Sequence, residues 1–392
     1  MNSWISPAAK LMGSLKYPAK FIVVSVLFLI PLILTVGLFW QELSRSINLT
    51  KSELRGIEII QLTEPLVVNI GQHRGLTNAF LNGNTGVESK VLDRRGKVDA
   101  ALQGLKGGTG DTGSDIKKLI TELESRWAAI KSSIGTEQPA EIFEMHNRFA
   151  AAVRGFNKEI LTAYSLELDP HSDTTFMIDN VAVFLPQIID EVGQLRGKAS
   201  GVAAKGQFTP DSFIYINNLM GRLEKVYPGL SSGLKLKELS AMSAAIDEAQ
   251  KGVGGYLAYI RTNVTEPDSI AVDSNQVFSE GTAAIKKVLG LYKEMLPALY
   301  AKEQSYLEKQ VFSRNLIVGV IGVTIALAFY LFLGFYRSTI LTIESFQRMS
   351  DQLASGDLTA RLDKRGKDEM SAISEGMNKV ADGFEQLVRE AK

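Results

Sequence analysis

The chain has 392 residues, enough for two or three domains, and its 43 Lys+Arg are balanced by 43 Asp+Glu. That balance leaves no long-range field aimed at nucleic acid or an acidic partner. The absence of cysteine excludes disulfides, thiol catalysis and thiolate metal sites, and the three histidines (His73, His146, His171) are too scattered in sequence to suggest a metal cluster.

Residues 1–20 carry Lys10, Lys16 and Lys20 and no acid, and Phe21–Trp40 then forms an uncharged run of about 20 residues. That length crosses a bilayer as a helix. A cleaved signal peptide has a shorter apolar core ending at small residues, whereas this run ends Gly37-Leu38-Phe39-Trp40, so an uncleaved anchor is expected. Pro31 inside it is tolerated in lipid and predicts a kink. The lysines place the N-terminus in the cytoplasm by the positive-inside rule. A second uncharged run of about 21 residues, Leu316–Tyr336, begins after Arg314 and ends at Arg337. Two spans put residues 41–313 outside the cytoplasm and return residues 337–392 to it.

The outer segment, 41–313, is expected to be all-α. Its apolar residues recur at three- and four-residue steps, and strand signals are scarce. Turn punctuation at Asn82-Gly83-Asn84, Gly107-Gly108-Thr109-Gly110, Gly135 to Pro139, Asp169-Pro170, Thr209-Pro210-Asp211 and Glu266-Pro267-Asp268 divides it into about seven helices. Thr209 with Pro210 is a good N-cap and first turn. A short repeat runs through it: Gly71-Gln72-His73-Arg74-Gly75 returns as Gly193-Gln194-Leu195-Arg196-Gly197, with Pro65 and Pro186 ahead of the two copies. Duplication of a helical bundle would produce this, giving one bundle or two stacked four-helix bundles.

The repeated arginines are the first ligand candidates. Arg74 and Arg196 each sit in an apolar helical stretch beside a glutamine (Gln72, Gln194) and between glycines. A guanidinium suits a small anion or carboxylate, and neighbouring glycines permit close approach. The alternative is an arginine whose stem packs over its neighbours. His73 could titrate near a ligand or serve packing alone. Asp169, His171 and Asp173, around Pro170, suit a helix start better than a metal site. No nucleophile elbow, phosphate loop or His-Glu-x-x-His occurs, so no enzyme activity, catalytic residue, cofactor or metal is expected.

The tail carries two apolar series, Ile343, Phe346, Met349, Leu353 and then Met370, Ile373, Met377, Val380, Phe384, Leu387, Ala391, the second stepping alternately by three and four. Such a heptad buries its seam only against other helices, which implies a parallel homodimer. Gly356-Asp357-Leu358, followed by Asp368-Glu369-Met370 at the start of the second helix and Asn378 within it, resembles a HAMP linker. Thr342 and Ser371 depart from residues that family usually carries, proline and glycine. The resemblance implies that Gly356, Asp357, Leu358, Asp368, Glu369 and Met370 belong to a signal-converting module.

Outside, Lys51-Ser52-Glu53-Leu54-Arg55-Gly56 and Gln72-His73-Arg74-Gly75-Leu76 are similar to features of methyl-accepting chemotaxis receptors. Arg-Gly in mid-helix also resembles the nitrate- and nitrite-sensing type of domain, which implies anion-ligand roles for Arg74 and Arg196. These resemblances imply a dimeric receptor of the bacterial inner membrane, with a periplasmic sensor for a small solute or anion, lipid around two spans and a cytoplasmic HAMP coiled coil. Such linkers normally precede an output domain, so one contacting chemotaxis proteins would lie beyond Lys392 or on a separate partner. The sensor half of a histidine kinase or diguanylate cyclase would share every feature, and a membrane-anchored structural protein would bind no solute.

Overall fold

The computed structural model describes residues 4–363 and 369–390, and every regular element among them is helical. After a short α1 (Ser6–Ser14), the long α2 (Tyr17–Leu81) carries the first apolar run and continues through Pro31 and Pro65. Then come α3 (Glu88–Gly108), α4 (Ser114–Ser133), α5 (Pro139–Ala163), α6 (Ser172–Asp179), α7 (Leu185–Lys205), α8 (Pro210–Val226), α9 (Ser243–Ile260), α10 (Ser274–Ala354) and α11 (Glu369–Glu390). The second apolar run lies within α10. The chain divides into two compact units, residues 45–311 and residues 1–44 with 312–392.

In the unit of residues 45–311, breaks fall where backbone chemistry demands them. Gly83, Gly135 and Gly206 take positive φ at helix ends. Thr209 makes a reciprocal capping box with Ser212, and Pro210 opens α8, as its sequence predicts. Asp169 Oδ1 accepts from the His171 N–H at 3.1 Å, so the Asp169–Asp173 stretch is a helix entry. One break was not anticipated: after Val226 the chain runs through two 3₁₀ segments, Tyr227–Lys235 and Lys237–Met242. Pro228, Gly229 and Gly233 there disfavour a continued α-helix. A π turn, Asn180–Phe184, joins α6 to α7. Pro186 has no N–H to give the Ala182 carbonyl, and Asn157 Nδ2 donates to that carbonyl at 3.3 Å.

The segment of α2 in this unit packs with α3, α4 and α5, while α7, α8, α9 and the start of α10 form a second group. The groups do not have separate cores. One apolar cluster runs from Ile57 and Leu66 through Trp127, Phe149 and Phe156 to Leu195, Ile246, Tyr292 and Leu299. Two four-helix groups thus share a single interior, joined where α2 and α5 meet α7. Trp127 is its largest buried side chain, and its Nε1–H donates to Asp99 Oδ1 at 2.8 Å. His73, 5.0 Å from the Trp127 ring, is also fully buried, and its Nδ1 lies 2.7 Å from His146 Nε2.

In the other unit, no residue of the apolar windows of α2 and α10 is buried within the protein, as lipid-facing surface requires. Phe21 meets Phe332, Phe335 and Tyr336 edge to face, at 5.4–5.7 Å between ring centroids. Gly356, at φ 94°, ends α10, and Asp357 Oδ1 accepts from the Thr359 N–H and hydroxyl. Leu362 is buried against Met349 and Ala381, and its backbone is held by Asn378, which accepts from its N–H at 2.8 Å and donates to its carbonyl at 2.9 Å. Glu369 and Met370 begin α11, whereas Asp368 of the predicted acidic pair and Ala391 of the predicted seam lie outside the described residues. The seam residues Ile373, Val380, Phe384 and Leu387 are each about half exposed or more.

Because Trp127 fills the shared core and anchors Asp99, Trp127→Ala should cost about 3–5 kcal/mol, whereas Trp127→Phe, which keeps most of the volume, should cost about 1–2 kcal/mol. Thermal unfolding of the full chain in detergent checks this order.

Candidate functional site

The two copies of the repeated motif lie against each other, one on α2 and one on α7. Gly193 has no side chain because Arg74 passes over it: a Cβ there would sit 2.8 Å from Arg74 Nη2. Reciprocally, a Cβ on Gly75 would lie 3.5 Å from Arg196 Nη2. Each arginine thus crosses a glycine of the other copy.

Their electrostatic situations differ. Arg74 is 1% exposed and its Nη1 donates to Asp190 Oδ1 at 2.6 Å and to Asn147 Oδ1 at 2.8 Å, while Nη2 donates to the Asp190 carbonyl at 3.2 Å. Asp190 also takes Arg154 and, at 3.0 Å, the Gln194 amide on its other oxygen. Burial raises the Asp190 carboxyl, but Arg74 and Arg154 outweigh burial and hold it below the ordinary carboxylate range. Two guanidiniums therefore share one carboxylate.

Arg196, 9% exposed, has no carboxylate partner among the described residues. Its Nη1 donates to the Thr282 hydroxyl at 2.9 Å, its guanidinium lies 4.4 Å from the centroid of Phe278, and its Nε is buried with no acceptor. Burial first, and then Arg74, pushes Arg196 down to about 10. One turn further along α7, the Ser200 hydroxyl is also buried without a partner. Arg74, Arg196, Ser200, Lys198 and Lys205 line a cavity of about 560 Å³. A second cavity, of about 390 Å³ and mostly apolar, also meets Gly193 and is lined by Gln72, Arg154, Asp190, Lys286 and again Arg196.

The sequence-predicted residues thus fall into distinct surroundings. Arg196 borders both cavities with donors to spare, and Gln72 borders the smaller one. Arg74 borders the larger cavity while committed to Asp190. Gln194 is bound at both ends, donating to Asp190 and accepting from the Tyr215 hydroxyl at 2.7 Å. His73 faces His146 and Trp127; burial, then Arg95, lowers it to about 4, so it is neutral at physiological pH. His146 Nδ1 donates to the Ile142 carbonyl at 2.7 Å, which leaves Nε2 to accept from His73.

Asp190, Arg154, Thr282, Phe278 and Ser200 were not anticipated. Asp190 had a signal, an acid directly after Ile188-Ile189 and one turn before Gly193. Arg154 and Phe278 had none, since their roles arise from helix crossings.

The nitrate and nitrite sensing family matches residues 65–298, and the HAMP domain matches residues 334–386. Among curated proteins, none matches the chain. Among solved structures, the NasR transcription antiterminator is similar in fold, at 15% identity and a TM-score of 0.54, over 89% of this chain and 95% of that one. A sensor region and a HAMP domain, with two helices long and apolar enough to cross a membrane, constitute a transmembrane signalling sensor. The match spans more than half of the sequence, and the protein belongs to the nitrate and nitrite sensing family.

Proposed function

We propose that this protein is a dimeric receptor of the bacterial inner membrane that binds a small inorganic anion, nitrate or nitrite, at Arg196 and passes the signal to chemotaxis proteins. One observation carries the binding site: Arg196 is a nearly buried cation with an unused donor and, among the described residues, no carboxylate, beside a cavity also lined by Ser200, whose hydroxyl is unpartnered. Burying an unpaired charge is costly, and an anion at Arg196 would remove that cost. Arg74 plays a different part, since Asp190 already pairs with it and fixes its direction. Its remaining positive field, with that of Arg154, favours an anion nearby. The family match points to the same class of ligand.

An anion drawing on Arg196 of α7 would act on Thr282 and Phe278 of α10, the helix that contains the second apolar run. A displacement of that helix would bias HAMP packing, provided the anion prefers one of the two states. The exposed seam of α11 calls for a second chain, giving a parallel four-helix arrangement in which Gly356, Asp357 and Leu358 shape the connector. The chemotaxis output rests on resemblance at Lys51–Gly56 and Gln72–Leu76, and a kinase or cyclase output would use the same sensor.

Ligand that binds only the folded state raises the melting temperature. Nitrate at a hundredfold over Kd should add about 2.7 kcal/mol of stability to the full chain in nanodiscs. Arg196→Met keeps the packing on Phe278 and removes the charge, so it should melt at or above wild type without nitrate and show no nitrate shift. An unchanged nitrate shift in Arg196→Met would overturn the site. Arg74→Ala should instead cost about 3–5 kcal/mol without ligand, because it deprives buried Asp190 of a partner.

The dimer has its own test. In a chain without cysteine, Phe384→Cys should cross-link between chains under mild oxidation, whereas Gln386→Cys, off the seam, should not.

A further inference from the structure

Away from the anion cavities, three acidic side chains converge in the interior, and among the described residues none of them pairs with a lysine or arginine. Glu53 on α2 and Glu303 on α10 are each 1% exposed, and the Asp169 side chain, from the turn before α6, is 0% exposed. Each has a buried oxygen with no hydrogen-bond partner: Glu53 Oε1, Glu303 Oε1 and Asp169 Oδ2. The groups facing them account for the nearby charge. On α10, Lys302 is committed to Asp173, and the Tyr306 hydroxyl also donates to Asp173, at 3.3 Å. His171 stacks on Tyr306 with 3.9 Å between centroids, and its Nδ1 lies 3.2 Å from Asp169 Oδ1 at the partly exposed edge. On α2, Thr50 lies beside Glu53 and accepts from Gln310 at 3.3 Å, while Thr174 of α6 lies beside Glu303. The rim histidine thus meets Asp169, while Lys302 is taken up by Asp173.

A metal ion does not fit: among the described residues no group of three or more His, Asp or Glu side chains could hold one. The remaining species that can neutralise an unpaired carboxylate in place is the proton. We propose that Glu53 and Glu303, beside Asp169, form a proton-binding site through which external pH sets the separation of α2 and α10. Protonated, a glutamic acid O–H can donate to a neighbouring carboxylate oxygen. Ionised, the site holds three negative charges in a buried interior, and repulsion acts between the helices that contain the two apolar runs.

The electrostatics agree with the geometry. Burial, and then Asp169, lifts Glu53 to about 7; burial, and then Asp169 and Glu53, lifts Glu303 to about 8. A carboxyl raised in the folded state keeps its proton after the unfolded chain has lost it. Its stabilisation is therefore complete at low pH, declines as pH rises toward the folded value, and changes no further above it. The buried histidines His73 and His146 act in the opposite sense, through unfolded-state protonation centred on their ordinary 6.5 that fades as pH rises above it. From pH 6.5 to 8 the carboxyls outweigh them.

The proposal stands whatever ligand Arg196 takes, and the full chain in nanodiscs tests it. The melting temperature should fall by roughly 5 °C between pH 6.5 and 8 and level off above, and Glu53→Gln/Glu303→Gln should abolish that slope. A flat wild-type profile, or an undiminished slope in the variant, overturns the site. If the double variant does not fold, infrared spectroscopy of the wild type decides. A buried carboxylic-acid carbonyl band should be present at pH 6.5 and gone by pH 9, and its absence at pH 6.5 would refute the proposal. Spin labels on Lys51→Cys and Gln304→Cys, unique thiols in this chain, should move apart over the same range. An unchanged distance would sever the coupling to the helices.

Discussion

The sensor region depends on how two buried arginines are neutralised. A guanidinium loses its hydration on burial and must recover it from fixed acceptors. Arg74 recovers it from Asp190 and Asn147, and the resulting pair holds α2, α5 and α7 in register. Arg196 recovers only part of it, from a hydroxyl and the face of Phe278. The same five-residue motif therefore yields a structural strut in one copy and an unsatisfied cation in the other. That asymmetry makes one position suited to an exchangeable anion.

Glycine makes the asymmetry possible. At Gly193 a methyl group would collide with Arg74, so the helices could not cross with the guanidinium between them. Close crossing buries the arginines, and burial sharpens the difference between the paired and the unpaired one. The glutamines beside them diverge likewise: Gln194 is locked between Asp190 and Tyr215, whereas Gln72 borders a cavity.

Features set by local chemistry were legible in the sequence. The two apolar runs, the Thr209 cap, the glycine turns and the Gly356 break each depend on residues within a turn or two, and all stand where expected. Arg74 and Arg196 were legible as a pair because their motif repeats. Their division of labour was not, because it depends on Asp190 reaching Arg74 rather than Arg196, which the helix crossing decides. The convergence of Glu53, Asp169 and Glu303 was hidden for the same reason, since chain segments far apart in sequence create it. The shared core of the two four-helix groups likewise follows from α2 and α5 meeting α7, not from any one helix's periodicity.

The central claim is that Arg196 is held without a counter-charge so that an anion can supply it. Calorimetric titration of nitrate into the full-length protein in nanodiscs tests this most directly. The account predicts saturable binding with no more than one high-affinity site per chain, absent when Arg196 is replaced by methionine. Saturable binding that survives that replacement, or no saturable binding to the wild-type chain, would contradict it.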